Sequence, residues 1–407
     1  MNIIIKGARL VDSTMDSRSS VGDIIIENGC ISDVVIGDCG IASSEKFQII
    51  EANKLIAMPA FVDLHTHFRD PGLTHKEDIE SGSQAAVRGG YTTVNLMPNT
   101  KPVCSSMDIV NYVKNKAEQI GLIDVHQTVS ITKDFDWQTL SHLDSLDESV
   151  MFISDDGKGS PIPNDIMLQA MNKAESLNLT ILSHAEDFSV SKFGDRIAED
   201  LMTTRDLTLA AHTGCKIHMC HVSTKDAIDS IICAKQRSVP VTCEVTPHHL
   251  ALTSDMEDYK VAPPLRRETD RFALIKALTE GWIDAIATDH APHTPEDKLA
   301  GAPGITGIET AFAICNTYLV RRGHISLSCL SEHMADKPAR IMNLCKGKLL
   351  KGYDADIVLV DPERKFTLTA NNLVSKGKNT PFIGKELFGA VVMTLKKGKI
   401  VYSGLSI

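Results

Sequence analysis

Between Pro59 and Lys346 the chain alternates short apolar runs with amphipathic stretches, and few folds accept that texture over so long a span. The run at 92–97 follows a helical pattern at 77–88, and the run at 180–184 follows one at 165–176; further apolar runs lie at 216–221, 239–245 and 283–288. Strands that alternate with amphipathic helices imply parallel pairing through helical crossovers. Over roughly 290 residues a closed (β/α)8 barrel suits this pattern better than an open sheet, because polar residues suited to chemistry end many of the runs. The flanks read differently. Residues 2–11, 22–27, 30–36 and 47–51, then 347–350, 355–360, 366–369 and 391–401, are short, β-branched and broken by Gly, Asn and Asp. Neither flank has strands enough for its own sandwich. The expected architecture is an α/β (β/α)8 TIM barrel over residues 57–345, beside a small β-sandwich domain built from 1–56 and 346–407. No repeat of solenoid period is present.

Composition narrows the function classes. The 407 residues carry a net charge of −10 and a pI near 5.8. No basic stripe marks a nucleic-acid partner. No apolar run approaches the roughly 18–20 residues that cross a bilayer, and the first residues lack the form of a secretory signal. The 10 cysteines include no CxxC pair and read as reduced thiols, so a cytoplasmic location is expected. Cys220, next to His221, is the one cysteine placed near candidate chemistry.

The strongest chemical signal is Asp63-Leu64-His65-Thr66-His67, at the end of an apolar run. Residues two apart on a strand face the same way, so His65 and His67 present two imidazoles to one side, a pairing suited to zinc. His184, His221 and Asp289 each end another apolar run. Strand C-termini converge on one mouth of a barrel, and these groups together make an N/O donor set for a dinuclear site. A bridging ligand is still needed. Ser154-Asp155-Asp156-Gly157 offers two carboxylates, of which strand alternation admits only one to the mouth; Lys158 lies beyond the Gly. On the same argument only one of His218 and His221 is a direct ligand, and His248 and His249 take supporting roles. His75, His126, His142, His212, His324 and His333 carry no pattern.

These residues resemble those of the dihydroorotase family. His65-Thr66-His67-Phe68-Arg69-Asp70-Pro71-Gly72 looks like its signature, with Asn95-Leu96-Met97-Pro98-Asn99-Thr100 as companion. The likeness continues through Ser154-Asp155-Asp156-Gly157, His184-Ala185-Glu186-Asp187, His221-Val222-Ser223-Thr224, Thr246-Pro247-His248-His249, Asp289-His290-Ala291-Pro292-His293 and Lys378-Asn379-Thr380-Pro381-Phe382, nearly the whole chain. The subtype is similar to the long bacterial and archaeal form. The resemblance implies two Zn2+ held by His65, His67, Asp156, His184, His221 and Asp289, with Asp156 bridging. It implies that Arg69, Asn99 and His293 bind substrate, that Asp289 is the catalytic acid and base, and that the subunit forms a homodimer with aspartate transcarbamoylase as a possible partner.

The implied reaction is the reversible cyclisation of N-carbamoyl-L-aspartate to L-dihydroorotate, a step of pyrimidine biosynthesis, with zinc supplying hydroxide near neutral pH. An Arg suits the ring carboxylate. The rivals are a dihydropyrimidinase, hydantoinase or allantoinase, which typically carry Lys where Asp156 sits, and an inactive barrel that partners aspartate transcarbamoylase. Three departures from the family pattern stand out: Ala262 replaces an Asn before Pro-Pro-Leu-Arg, the stretch from His184 to His221 is short, and Ala302-Pro303-Gly304-Ile305 lacks a Phe.

Overall fold

The computed structural model describes residues 2–15, 20–41, 46–158 and 161–404. Parallel strands succeed one another around a barrel: Phe61–Thr66, Tyr91–Leu96, Asp124–Gln127 continued by Val129–Ser130, Phe152–Ser154, Thr180–Ser183, Lys216–Met219, Val241–Val245 and Ala285–Ile286. The last strand is short, and the circle closes just past it. Thr66 bridges His290 in parallel, the His67 N–H donates to the His290 carbonyl at 2.9 Å, and the Asp63 carboxylate receives the N–H (3.0 Å) and hydroxyl (2.5 Å) of Thr288. A side chain therefore replaces part of the backbone ladder at the seam. Val62, Leu64, Phe152 and Leu182 pack with Ala339 and Met342, so the interior is a filled core and not a pore.

Helices follow where the sequence supplies caps. Ile79–Arg88 begins on Asp78, whose side chain takes the Ser81 N–H in a capping box, and stops at Gly89. Asn164–Ser176 and Asp195–Thr213 also cross back between strands, without a side-chain N-cap; Gly214 in left-handed backbone ends the second. Ile181, Ile217, Val245 and Ile286 face the helices and join the main core.

Strands from the two ends of the chain form one eight-stranded sheet, in the order Lys399–Ser403, Glu386–Lys396, Ile357–Thr367, Ile56–Pro59, Asn2–Leu10, Val21–Glu27, Cys30–Ile36, with Phe47–Glu51 also paired to Asn2–Leu10. The ladder forks near Gly7, where the register shifts and φ is +68°. Ile5, Leu10, Ile24, Ile357 and Leu395 share its core. The C-terminal flank differs in detail from the sequence expectation. Residues 347–350 form no strand, because the Leu349 N–H is taken by the Asp12 side chain at 2.9 Å. Ile357–Thr367 is one long strand, not two. Buried Lys346 ties sheet to barrel through Asp356 (2.7 Å), Asp124 (2.5 Å) and Thr93 (3.0 Å). All 10 cysteines are free thiols, and no helix among the described residues is long and apolar enough to cross a membrane.

Candidate active site

The barrel strands end earlier than their apolar runs, and the chemistry begins where they stop. His65 is on the first strand and His67 just past it; His184 follows Ser183, His221 follows Met219 by two residues, and Asp289 follows Ile286 by three. All of these, with Arg69, Asn99, Asp156 and His293, line one cleft of about 400 Å3 at the strand C-termini. Asp155, His218, His248, His249 and His290 do not line it.

The reasons for these orientations depart from strand alternation. His218 lies on its strand and turns to Thr242 and Glu244 (2.7 and 3.1 Å), whereas His221 has left the strand with φ +35°. Asp156 sits in the turn after Phe152–Ser154 with φ +53°, and only it, not Asp155, reaches the cleft. Arg69 (φ +61°) and Asp289 (φ +46°) share this left-handed backbone. Such conformations cost roughly 1–3 kcal/mol each and cluster where side-chain placement matters more than stability.

The imidazoles are packed face to edge, with ring centroids of His65 and His184 4.8 Å apart, and of His184 and His221 4.9 Å apart. His65 Nδ1 bonds Glu244 Oε1 at 2.7 Å, leaving Nε2 to face His184 Nε2 at 3.2 Å. His67 Nε2 is 3.1 Å from Asp289 Oδ1, and His67 Nδ1 is 3.0 Å from Asn99 Oδ1. Burial and neighbouring imidazoles hold His184 and His221 well below the usual histidine range; for His67 burial comes first and the Arg69 charge adds to it. Burial alone would lower His65 too, but Glu244 and Asp289 beside it hold it above its ordinary value.

These donors fit a metal ion. Both carboxylate oxygens of Asp156 are buried without a hydrogen-bond partner, the nearest charge being Lys158 Nζ at 3.6 Å. The ring nitrogens of His67 and His184 lie 3.7 and 3.9 Å from Asp156 Oδ1. His65, His184 and His221, and likewise His65, His67 and Asp156, can each bring ligand atoms within 4.8 Å of one another. Neutral nitrogens and carboxylate oxygens in this proportion suit a divalent cation of the zinc type.

Two carboxylates support this site in ways the sequence reading did not assign: Glu244 was not singled out, and Asp63 was quoted only as part of the His65–His67 motif. Glu244 sits inside the apolar strand Val241–Val245 and holds His65, His218 and, at 3.3 Å, the His221 N–H. Burial opposes its charge, yet His65 and His218 hold it below the normal carboxylate range. Its signal was an acidic residue in the middle of a barrel strand. Asp63, which closes the barrel beneath His65, is raised to about 7 by burial despite the Thr288 donors.

On the substrate side, Arg69 is buried and its Nη2 lies 3.3 Å from His293 Nε2. Asp70 is engaged elsewhere, by Lys116 (2.6 Å) and Tyr112 (3.0 Å). Burial, and then the Arg69 charge, lowers His293 to about 4. Ala262 is in the cleft wall, and the short segment after His184 supplies Glu186, Asp195, Glu199 and Thr203 to it.

A metal-binding mouth on a (β/α)8 barrel defines a class of hydrolases, and the comparisons with known proteins agree. The pattern of the amidohydrolase family matches residues 56–401. The chain is 48% identical over 404 residues to a dihydroorotase of Clostridium botulinum (strain Eklund 17B / Type B), covering 99% of this chain and 100% of the relative. It is 40% identical over 428 residues to one of Bacillus licheniformis, covering 99% and 98%. Among solved structures, the L-hydantoinase (dihydropyrimidinase) from Arthrobacter aurescens superposes with a TM-score of 0.90 at 26% identity, covering 100% of this chain and 97% of that one. The chain belongs to the amidohydrolase family, and within it to the dihydroorotases.

Proposed function

We propose that this chain interconverts N-carbamoyl-L-aspartate and L-dihydroorotate. The observation that carries the reading is Arg69: a buried guanidinium beside His293, at the edge of the histidine cluster, with its neighbouring carboxylate already satisfied by Lys116 and Tyr112. A permanent cation there calls for an anionic substrate, and the carboxylate of dihydroorotate supplies one. Hydantoin and dihydrouracil have no such group.

The metal is zinc in this proposal, and two ions per subunit would be held by His65, His67, Asp156, His184, His221 and Asp289. When bound, it supplies Lewis acidity, polarising an amide carbonyl and lowering the pKa of water toward neutrality. The side chains do the rest. Arg69, Asn99 and His293 orient the ring. In the hydrolytic direction Asp289 takes a proton from the attacking water and delivers it to the ring nitrogen as the C–N bond breaks; in the synthetic direction the proton travels back. Glu244 keeps the His65 Nδ1 proton in place, so that Nε2 is the free donor.

We further propose a homodimer, with aspartate transcarbamoylase as a possible partner, and a division into a barrel (57–345) and a terminal domain (1–56 with 346–407). Turnover of dihydroorotate, dihydrouracil, hydantoin and allantoin, measured alongside metal content by mass spectrometry, tests the function. Dihydroorotate is expected to be much the best substrate with zinc bound. Faster turnover of an uncharged ring would replace this reading with a hydantoinase-like one, which the structural likeness to L-hydantoinase makes the nearest rival.

A further inference from the structure

Residues 374–382 belong by sequence to the terminal sheet, since they lie between its strands Ile357–Thr367 and Glu386–Lys396, yet they make polar contacts at the barrel mouth. Glu309 accepts the backbone N–H groups of Val374 (2.9 Å) and Ser375 (3.0 Å). Buried Glu77 accepts the Ser375 hydroxyl and, at 3.3 Å, the Lys376 N–H, while its Oε2 lies 3.5 Å from His290 Nε2. Lys376 reaches the Thr74 carbonyl at 2.7 Å and Asp78 at 2.5 Å. The segment is thus a strap, fastened to the loop that follows the first barrel strand and leading to the loop that follows the last.

Asn379 makes the second fastening. Its Oδ1 accepts the His293 N–H at 2.9 Å and the Thr306 hydroxyl at 2.8 Å; its Nδ2 donates to the carbonyls of Ala291 and Gly304, both at 3.0 Å. Its own carbonyl accepts the Thr306 N–H at 2.8 Å. A side-chain amide offers two lone pairs and two N–H groups, and here each is used. A carboxylate in its place would set one oxygen, with no proton to donate, against both carbonyl oxygens. Gly377 adds an independent sign of fit: a Cβ there would fall 2.6 Å from Pro292 Cβ and 2.8 Å from Asn379 Oδ1, so the strap backbone presses against the residue that precedes His293.

We propose that Asn379 is a positioning residue for substrate recognition, acting through His293: it fixes the loop that carries His293 at the separation from Arg69 at which the two close on the substrate carboxylate. The proposal rests on the reading that Arg69 and His293 hold that carboxylate. Asn379 touches neither substrate nor metal ligands, so losing it loosens ground-state and transition-state binding alike, which raises KM and leaves kcat nearly unchanged.

The test uses the full-length zinc-loaded protein and the variants Asn379→Ala, Gly377→Ala, His293→Ala and the double variant of Asn379 and His293. Expected results are unchanged metal content, a KM for dihydroorotate raised about tenfold with kcat little altered in Asn379→Ala, and less than about a twofold further effect of Asn379→Ala in the His293→Ala background, because residues acting on one path are not additive. A purely structural amide would multiply its full effect onto the His293 variant, and that result, or an unchanged KM, overturns the proposal. If Asn379→Ala does not fold, Gly377→Ala carries the same expectations, since it displaces the same loop while removing no hydrogen-bonding group. Amide hydrogen exchange over 291–293 and 304–306 separates the two readings. A wild type inactive on dihydroorotate sinks the functional reading, and the strap then stands or falls on whether the His293 amide exchanges faster in the variant.

Discussion

The floor and the rim of this cleft are built on different principles. The floor groups come from strand ends, and the turns just past them, that the barrel brings together anyway; His65 is held by Glu244, His184 by the Ser154 hydroxyl at 3.1 Å, and the Phe61–Thr66 strand by Asp63 at the seam, while the Asp156 carboxylate is left without a hydrogen-bond partner. The rim is assembled over long stretches of chain. Arg69 meets His293 across the mouth, and His293 is steadied by Asn379 from beyond the barrel. The contrast teaches that metal binding and substrate choice can be damaged separately.

The largest effects belong to the floor. His65→Ala and Asp156→Ala should each lose bound metal and fall to background turnover; either variant keeping full metal content and activity would remove its residue from the ligand set. One step out, Glu244→Gln should weaken metal binding by about 10–100-fold, the usual scale for a carboxylate that orients a ligating His, and competition with a chelator measures it. An unchanged affinity would mean that His65 is oriented by packing alone.

Rim variants should leave metal content intact. Arg69→Met is expected to lower kcat/KM for dihydroorotate by at least about tenfold, the scale of a lost charge-assisted hydrogen bond, with little change on any measurable dihydrouracil hydrolysis. Equal losses on both substrates would make Arg69 a structural residue and erase the distinction between floor and rim. The smallest effect concerns pH. Burial and the Arg69 charge hold His293 near 4, so it is neutral well below the ordinary histidine range and gains no proton between pH 5.5 and 8. KM profiles of the wild type and His293→Gln should therefore run parallel over that interval; a wild-type break near pH 6.5 that the variant lacks would show His293 titrating. The same depression has a sign for stability. The unfolded chain takes up a proton at this His near 6.5 and the folded one only near 4, so its share of stability falls as pH drops through that window.

Much of the floor was legible in the sequence because it rests on periodicity. Runs with period two alternating with helical patterns specify the barrel, and polar residues at run ends mark its mouth. Legibility failed where the backbone leaves regular geometry. Alternation is a valid argument only on a strand, and Asp156 and His221 sit in left-handed turns beyond one. Glu244 was readable as an acid within Val-Thr-Cys-Glu-Val, yet nothing local says which histidines it holds. Asn379 was visible only as part of a family-like motif, since all four partners of its amide lie far away in sequence. The terminal sheet was foreseen as joint work of both flanks, but the order of its strands depends on long-range pairing that no local pattern encodes.

That pairing has a consequence for how the protein is made. Ile56–Pro59 pairs on one side with Asn2–Leu10 and on the other with Ile357–Thr367. On a ribosome, the second partner emerges about 300 residues after Ile56–Pro59 itself, which at typical elongation rates is a delay of roughly 15–60 s. Throughout that interval the nascent sheet shows a bare edge, the kind of surface that recruits strands from other chains. The last barrel strand, Ala285–Ile286, is made before Ile357–Thr367, and the strap comes after both, so the floor groups, Arg69 and His293 all emerge before the segment that fixes the His293 loop.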